Sequence, residues 1–235
     1  MNPGPDILYR DEHLAAVNKP SGLSVHRGWD ADRDVLMARV RDALGIRVHP
    51  VHRIDRSASG VVLLALHAEA ARQLGEQLAR HAMVKTYVAL VRGVPAESGV
   101  VDHPLPRREG GPRVESVTEF RRLDAFGRYG LVLARPRTGR PHQIRRHLKH
   151  IACPLIGDVR YGKGEHNRLF RSDYGLSRLA LHACELRLLH PVTGEALRLR
   201  APLPEDLSAP FNALAASVGA QFSAEALWKA IDAWT

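Results

Sequence analysis

The chain of 235 residues contains only two cysteines, Cys153 and Cys184. Two are too few for a disulfide framework or a thiolate metal cluster. Reduced, buried thiols in a cytoplasmic protein are the default, and one Cys153–Cys184 bond is the single disulfide left open. No apolar stretch approaches the roughly 18 residues a membrane helix needs. The N-terminus, Met1-Asn2-Pro3-Gly4-Pro5-Asp6, lacks the basic n-region and apolar h-region of a secretory signal. Internal repeats, low-complexity tracts and Pro- or Ser-rich linkers are absent. The expectation is therefore a single domain over residues 1–235, with 204–235 as a helical extension. No Gly-x-x-x-x-Gly-Lys-Ser/Thr or Gly-x-Gly-x-x-Gly loop points to a nucleotide cofactor, and no Gly-x-Ser-x-Gly elbow points to a serine hydrolase. His-Glu-x-x-His is also missing. His142 and His147, five apart, fall on different helix faces. Neither a metal nor a cofactor is expected.

Apolar residues make up 45% of the sequence and charged residues 25%, as in a globular protein with a sizeable core. Lys and Arg total 34 against 25 Asp and Glu, a net charge of +9, and only five of the cations are lysine. Such an excess suits a polyanion, because it neutralises phosphates and releases their counterions. The arginines are scattered, which argues against a basic amphipathic helix lying on a membrane.

Along the chain, residues 7–17 read as two short extended pieces. Asn18-Lys19-Pro20-Ser21-Gly22 reads as a turn. Helical spacing covers 34–44, with Gly45 as its stop, and 68–80, with Leu74 and Leu78 four apart. The apolar run 61–66 predicts a buried strand, and 84–91 alternates as a strand around Tyr87. Strands are predicted over 114–123, 129–134, 179–189 and 196–200. A helix is predicted over 141–151, Pro141 being tolerated in its first turn. Residues 104–112 suggest an exposed excursion, residues 157–171 a polar loop, and the tail from 204 two helices. Leu227, Trp228, Ile231 and Trp234 form a stripe expected to pack onto the body. Hairpin-like strands with intervening helices indicate an α+β fold.

Three segments carry candidate chemistry. In His52-Arg53-Ile54-Asp55-Arg56-Ser57-Ala58-Ser59-Gly60, Asp55 lies between two arginines that favour its ionised form. An ionised carboxylate can act as a nucleophile at an anomeric carbon. On charge pattern alone, a turn-capping or ion-paired Asp is the commoner fate. In Gly139-Arg140-Pro141-His142-Gln143-Ile144-Arg145-Arg146-His147, cations accumulate from Arg135 to Lys149 with no acid before Asp158. This can serve as a phosphate cradle or as a solvated basic face, and an Arg here can pair with Asp55. Tyr87, in Lys85-Thr86-Tyr87, can stack on an unpaired base or turn into the core.

Together these segments resemble the RluA-type pseudouridine synthases over residues 7–202. Asn18-Lys19-Pro20-Ser21-Gly22-Leu23-Ser24-Val25-His26 is similar to the first family motif. His52 to Gly60 is similar to the catalytic motif, Lys85-Thr86-Tyr87 to the tyrosine motif, Gly139 to Arg145 to the third, and Leu181-His182-Ala183 to a later one. Ile156-Gly157-Asp158, Tyr161-Gly162 and His166-Asn167-Arg168 resemble most the branch that modifies uridine 65 of tRNA, the TruC branch. Two positions depart from the family: Ile54 replaces Leu, and Ala58 replaces a Thr whose hydroxyl can bond locally. The start near the first motif leads to the expectation that no S4 RNA-binding module is present.

The resemblance implies a mixed, largely antiparallel sheet with flanking helices and a central cleft, and a monomeric cytoplasmic enzyme acting on RNA, foremost tRNA. Asp55 would be the essential carboxylate, Tyr87 would pack against the flipped uracil, and Arg145 would orient Asp55. Arg53 would fill the space the base leaves, and Lys19, Arg56, Arg140, His142 and Arg146 would bind RNA. Alternatives are a synthase for large-subunit rRNA or another tRNA site, and a non-catalytic RNA-binding module. Intact Asp55, Tyr87 and Arg145 speak against the last.

Overall fold

The computed structural model describes residues 4–27, 34–108 and 110–234. In chain order the elements are β1 (Asp6–Arg10), β2 (Leu14–Lys19), α1 (Leu36–Leu44), β3 (His49–Pro50), β4 (Ser59–Ala65) and α2 (Ala68–Ala79). Next come β5 (Val84–Arg92), β6 (Ser98–Asp102), β7 (Leu105–Pro106), β8 (Arg113–Val114), β9 (Val117–Phe126), β10 (Tyr129–Pro136), α3 (Gln143–His150) and α4 (Gly164–Asp173). β11 (Leu181–Leu189), β12 (Ala196–Arg200), α5 (Glu205–Ser217) and α6 (Ala224–Asp232) complete the chain. The fold is α+β with largely antiparallel strands, as expected. The chain divides into two compact units, Met1–Lys85 with Ala183–Pro202, and Thr86–His182 with Leu203–Thr235.

In the first unit the strand order is β1-β2-β4-β11, with β12 on β11 and β3 on β4. All seven residues of β4 are buried, which is why its sequence is a continuous apolar run rather than an alternating one. Leu14, Ala16, Val61, Leu63, Leu186, Leu188 and Leu199 line one core face, closed by Leu74 of α2. Each buried Val or Leu among them contributes about 1.5–3 kcal/mol. α2 starts where His67 caps it, Nδ1 accepting from the Ala70 N–H. α1 ends at Gly45, whose positive φ of 69° makes the left-handed cap the sequence predicts. β2 runs on through Lys19, so the turn begins two residues later than expected, at Pro20.

In the second unit the order is β5-β10-β9-β6. Tyr87 pairs with Ala134 across β5 and β10. The excursion predicted at 104–112 instead contains β7, which pairs with β8 and buries Leu105, while Arg107 and Arg108 beyond it are exposed. The strand predicted over 114–123 is interrupted at Ser116, whose buried hydroxyl accepts from Leu105 N and donates to Val114 O. The tail packs as expected: Leu227, Ile231 and Trp234 are buried, and the guanidinium of Arg135 lies 4.2 Å from the Trp234 ring centroid. Both cysteines are buried, and no disulfide joins them.

The polar loop expected over 157–171 is corrected in its second half, where α4 forms. Its buried face is His166 and Phe170, one turn apart. Tyr129 Oη lies 2.9 Å from His166 Nδ1, and Arg92 Nε donates to His166 Nε2. Tertiary contacts, not local propensity, therefore make this helix.

Candidate active site

Asp55 sits, half-buried, on a turn that enters β4. Ala58 N–H donates to the Asp55 carbonyl and closes that turn. Ile54 and Ala58 are buried and anchor it from beneath. The backbone alone closes the turn, so the missing Thr hydroxyl at position 58 removes nothing from this bond. Gly60 follows with φ of 115°, and a Cβ there would overlap the backbone of Ala183. That overlap explains why a glycine ends the second motif where the Leu181-His182-Ala183 motif passes.

The first motif braces this turn. Gly22 N–H donates to Arg56 O, Arg56 Nε returns the bond to Gly22 O, and Ser21 Oγ donates to Ser57 O. Lys19 lies beneath, with its side chain wholly removed from solvent. Its Nζ donates to the carbonyls of Pro20 (2.8 Å), Leu23 (2.7 Å) and Arg56 (3.1 Å). The expectation that Lys19 binds RNA is therefore corrected. Its ammonium pins the two loops together and offers no charge to a phosphate. Arg53 and Arg56 are exposed, and the Arg53 guanidinium lies 3.5 Å from His26 Nε2. His52 accepts the Leu63 N–H on Nε2 and so ties the start of the turn to β4. Burial, reinforced by the charge of Lys85, pushes the His52 pKa down to about 4, so its ring is neutral at pH 7.

Tyr87 and Arg145 belong to the second unit. Tyr87 is buried on β5, next to Thr86, whose hydroxyl accepts from Arg135 Nε at 3.1 Å. Arg145 is buried on α3 and grips Asp158 with both arms of its fork, Nε to Oδ2 at 2.7 Å and one Nη to Oδ1 at 2.9 Å. Asp158 Oδ1 also accepts the N–H groups of Arg160 and Tyr161. Burial would raise the Asp158 pKa, but the Arg145 guanidinium and these two N–H groups outweigh it and hold the carboxyl below its ordinary range. Asn167 of α4 frames the loop, accepting from Gly157 N–H and donating to the Asp158 carbonyl.

α3 begins at Gln143, not Pro141, because His142 takes a left-handed conformation with φ of 54°. Gln143 is buried and locks the entry, accepting from Thr138 Oγ1 and Arg140 N–H and donating to Val117 O and Thr118 Oγ1. His142 Nδ1 lies 3.1 Å from Tyr161 Oη, and Arg140 Nε donates to Glu115 O. Both predicted RNA contacts thus also have internal partners, and Arg146 is half-buried. Asp158, Gln143 and Tyr161 carry no role in the sequence reading. The signals for Asp158 are its place in the family-like stretch Ile156-Gly157-Asp158 and its being the first acid after the basic run from Arg135 to Lys149.

Residues 13–150 match the family model described as RNA pseudouridylate synthase, a span that contains Asp55, Tyr87 and Arg145. The chain is 45% identical over 220 residues to "tRNA pseudouridine synthase C" of Pectobacterium carotovorum, covering 83% of this chain and 58% of that one. It is 41% identical over 223 residues to the protein of the same name from Vibrio cholerae, covering 85% and 91%. The solved structure titled "Human RNA Pseudouridylate Synthase Domain Containing 4" superposes with a TM-score of 0.73 at 30% identity, over 89% of this chain and 92% of that one. Motif order, fold and these likenesses agree, and the chain belongs to the RNA pseudouridylate synthase family.

Proposed function

We propose that this protein converts uridine 65 of tRNA to pseudouridine, with Asp55 as the carboxylate that acts on the ribose. The observation that carries the reading is the mounting of Asp55. It sits on a turn tied to the first motif through Gly22, Ser21 and the buried Lys19, with the exposed Arg53 and Arg56 on either side. The relatives named as tRNA pseudouridine synthase C support tRNA as the substrate class, and the net charge of +9 suits it.

A base stacked in folded RNA must leave the stack before its glycosidic bond is reachable. In this reading the exposed guanidinium of Arg53 takes the vacated place by stacking. Asp55 either attacks C1′ as N1 departs, giving a glycosyl ester, or removes the C2′ proton, giving a glycal. The freed uracil turns in place and C5 bonds to C1′. The C5 proton is then lost and N1 takes one up; the carboxylate is regenerated as the ester leaves C1′ in the first route, or as its proton returns to C2′ in the second, so atoms balance without any other reactant. Tyr87 packs against the uracil and assists loss of the C5 proton. Arg145 contributes a guanidinium whose direction Asp158 fixes. Arg56, Arg140, His142 and Arg146 hold RNA phosphates. The enzyme works as a cytoplasmic monomer.

The test is pseudouridine mapping of unmodified tRNA and unmodified large-subunit rRNA after incubation with the protein. Pseudouridine at position 65 of tRNA is expected. Modification confined to rRNA, or to another tRNA position, would overturn the substrate assignment.

A further inference from the structure

A second basic cluster lies in the second unit, around His103. The His103 and His150 rings stack with centroids 3.9 Å apart and planes 19° from parallel. Arg113 Nη1 lies 2.9 Å from His103 Nε2. A guanidinium can only donate, so this Nε2 accepts and the His103 ring is neutral. The stack is built on a buried support. His147 is fully buried, its Nδ1 is 2.8 Å from Thr118 Oγ1, and its Nε2 is 3.0 Å from the His103 carbonyl. It therefore fixes the His103 backbone against α3, three residues before His150.

Among the described residues, no acid pairs with this group. The His103 pKa is lowered by burial and then by the positive charges of His150, Arg113 and Arg146. The nearest described acids in the chain, Asp102 on β6 and Glu115 after β8, are both exposed, and neither figures among these influences. Cations packed this closely, on an outward face and oriented by a buried histidine, fit an anion with several acceptor oxygens.

We propose that His103, His150, Arg113 and Arg146 form a proton-linked docking point for a backbone phosphate of the substrate RNA. The proposal rests on the reading of the protein as an RNA-modifying enzyme. A phosphate beside His103 favours the imidazolium, so binding draws one proton from solvent onto Nε2. That nitrogen then donates instead of accepting, and Arg113 is released from it. Ring and guanidinium both turn their N–H groups to the phosphate. The sign follows: RNA affinity rises as pH falls through the histidine range, by up to about tenfold per pH unit for one proton taken up.

The experiment measures Kd for an unmodified tRNA transcript by fluorescence anisotropy, between about pH 8 and about pH 6 and over a salt series. Wild type, His103→Gln, His150→Ala and Arg113→Ala are compared, each checked for native circular dichroism. Gln can still accept from Arg113 but cannot titrate. Wild type is expected to bind more tightly at the lower pH, and His103→Gln to lose most of that gain. His150→Ala, at the exposed end of α3, is expected to change the same dependence. Arg113→Ala is expected to bind more weakly throughout and to lower the salt slope by about one. Identical pH dependence in wild type and His103→Gln, or an unchanged salt slope in Arg113→Ala, would overturn the proposal. Asp55-dependent tritium release by wild type is measured alongside on uracil-5-tritiated tRNA. Its absence would overturn the functional reading instead, so the two failures are distinguishable.

Discussion

Arg145 and Asp158 face each other as a bidentate ion pair, at 2.7 and 2.9 Å, with the Asp158 side chain fully removed from solvent. Burying two charges is costly, and the geometry offsets that cost only because Asp158 also accepts two backbone N–H groups. The pair therefore sets the direction of the Arg145 guanidinium and couples α3 to the loop that Asn167 frames.

Asp158→Asn takes the carboxylate of this bidentate pair away from the buried Arg145 guanidinium. Such a loss costs about 3–5 kcal/mol of stability. Turnover is expected to fall even where the variant stays folded. Arg145→Lys is expected to fail as well, because an ammonium lacks the planar fork that matches both carboxylate oxygens. Urea unfolding and single-turnover rates check both.

Lys19→Met removes a donor from three carbonyls and leaves them buried. A loss of about 2–3 kcal/mol is expected. Because the same ammonium joins the first motif to the Asp55 turn, activity is expected to fall further than RNA affinity. Chemical denaturation and anisotropy on the same preparation separate the two effects.

Stability is expected to fall in two stages on acidification. His52 is neutral in the fold with a pKa of about 4, against about 6.5 for an ordinary histidine. Protonation favours the unfolded chain, so stability is full above about pH 6.5 and declines as pH drops toward about 4, by about 3 kcal/mol in total. Asp158 and Glu185 then act. Burial raises the Glu185 pKa, but Arg200, Arg198 and Arg187 outweigh it and hold the carboxyl low. Their contribution is present above the ordinary carboxylate pKa of about 4 and is lost as pH falls through their lowered values. His52→Gln is expected to remove the first stage and keep the second, as read from thermal midpoints across pH.

Tyr87→Phe keeps the packing of β5 and removes one hydroxyl. RNA affinity is expected to hold within about threefold, and the single-turnover rate to drop by about a hundredfold. An unchanged rate would leave the hydroxyl without a chemical role.

Much of this fold is legible because its signals are local. The unbroken apolar run of β4, the Leu74–Leu78 spacing of α2 and Gly45 as a stop each report one element. The motifs around Asp55, Tyr87 and Arg145 are legible because they are contiguous in the chain. What escapes the sequence is long-range. α4 looks like a loop because the pair it buries is Phe170 and the polar His166, whose partners Tyr129 and Arg92 lie far away in the chain. Lys19 looks like a phosphate ligand because its charge is visible and its burial is not. Asp158 stands thirteen residues beyond the arginine it grips, with no pattern linking the two.

The most direct measurement is tritium release from uracil-5-tritiated tRNA under single-turnover conditions, comparing wild type with Asp55→Asn. Asn keeps the size of the half-buried side chain while it removes the charge and turns one acceptor oxygen into a donor amide. The account predicts release by wild type and none by the variant, with matching circular dichroism and unfolding midpoints. Near-normal release by a folded Asp55→Asn protein would contradict the assignment of this carboxylate to the chemistry.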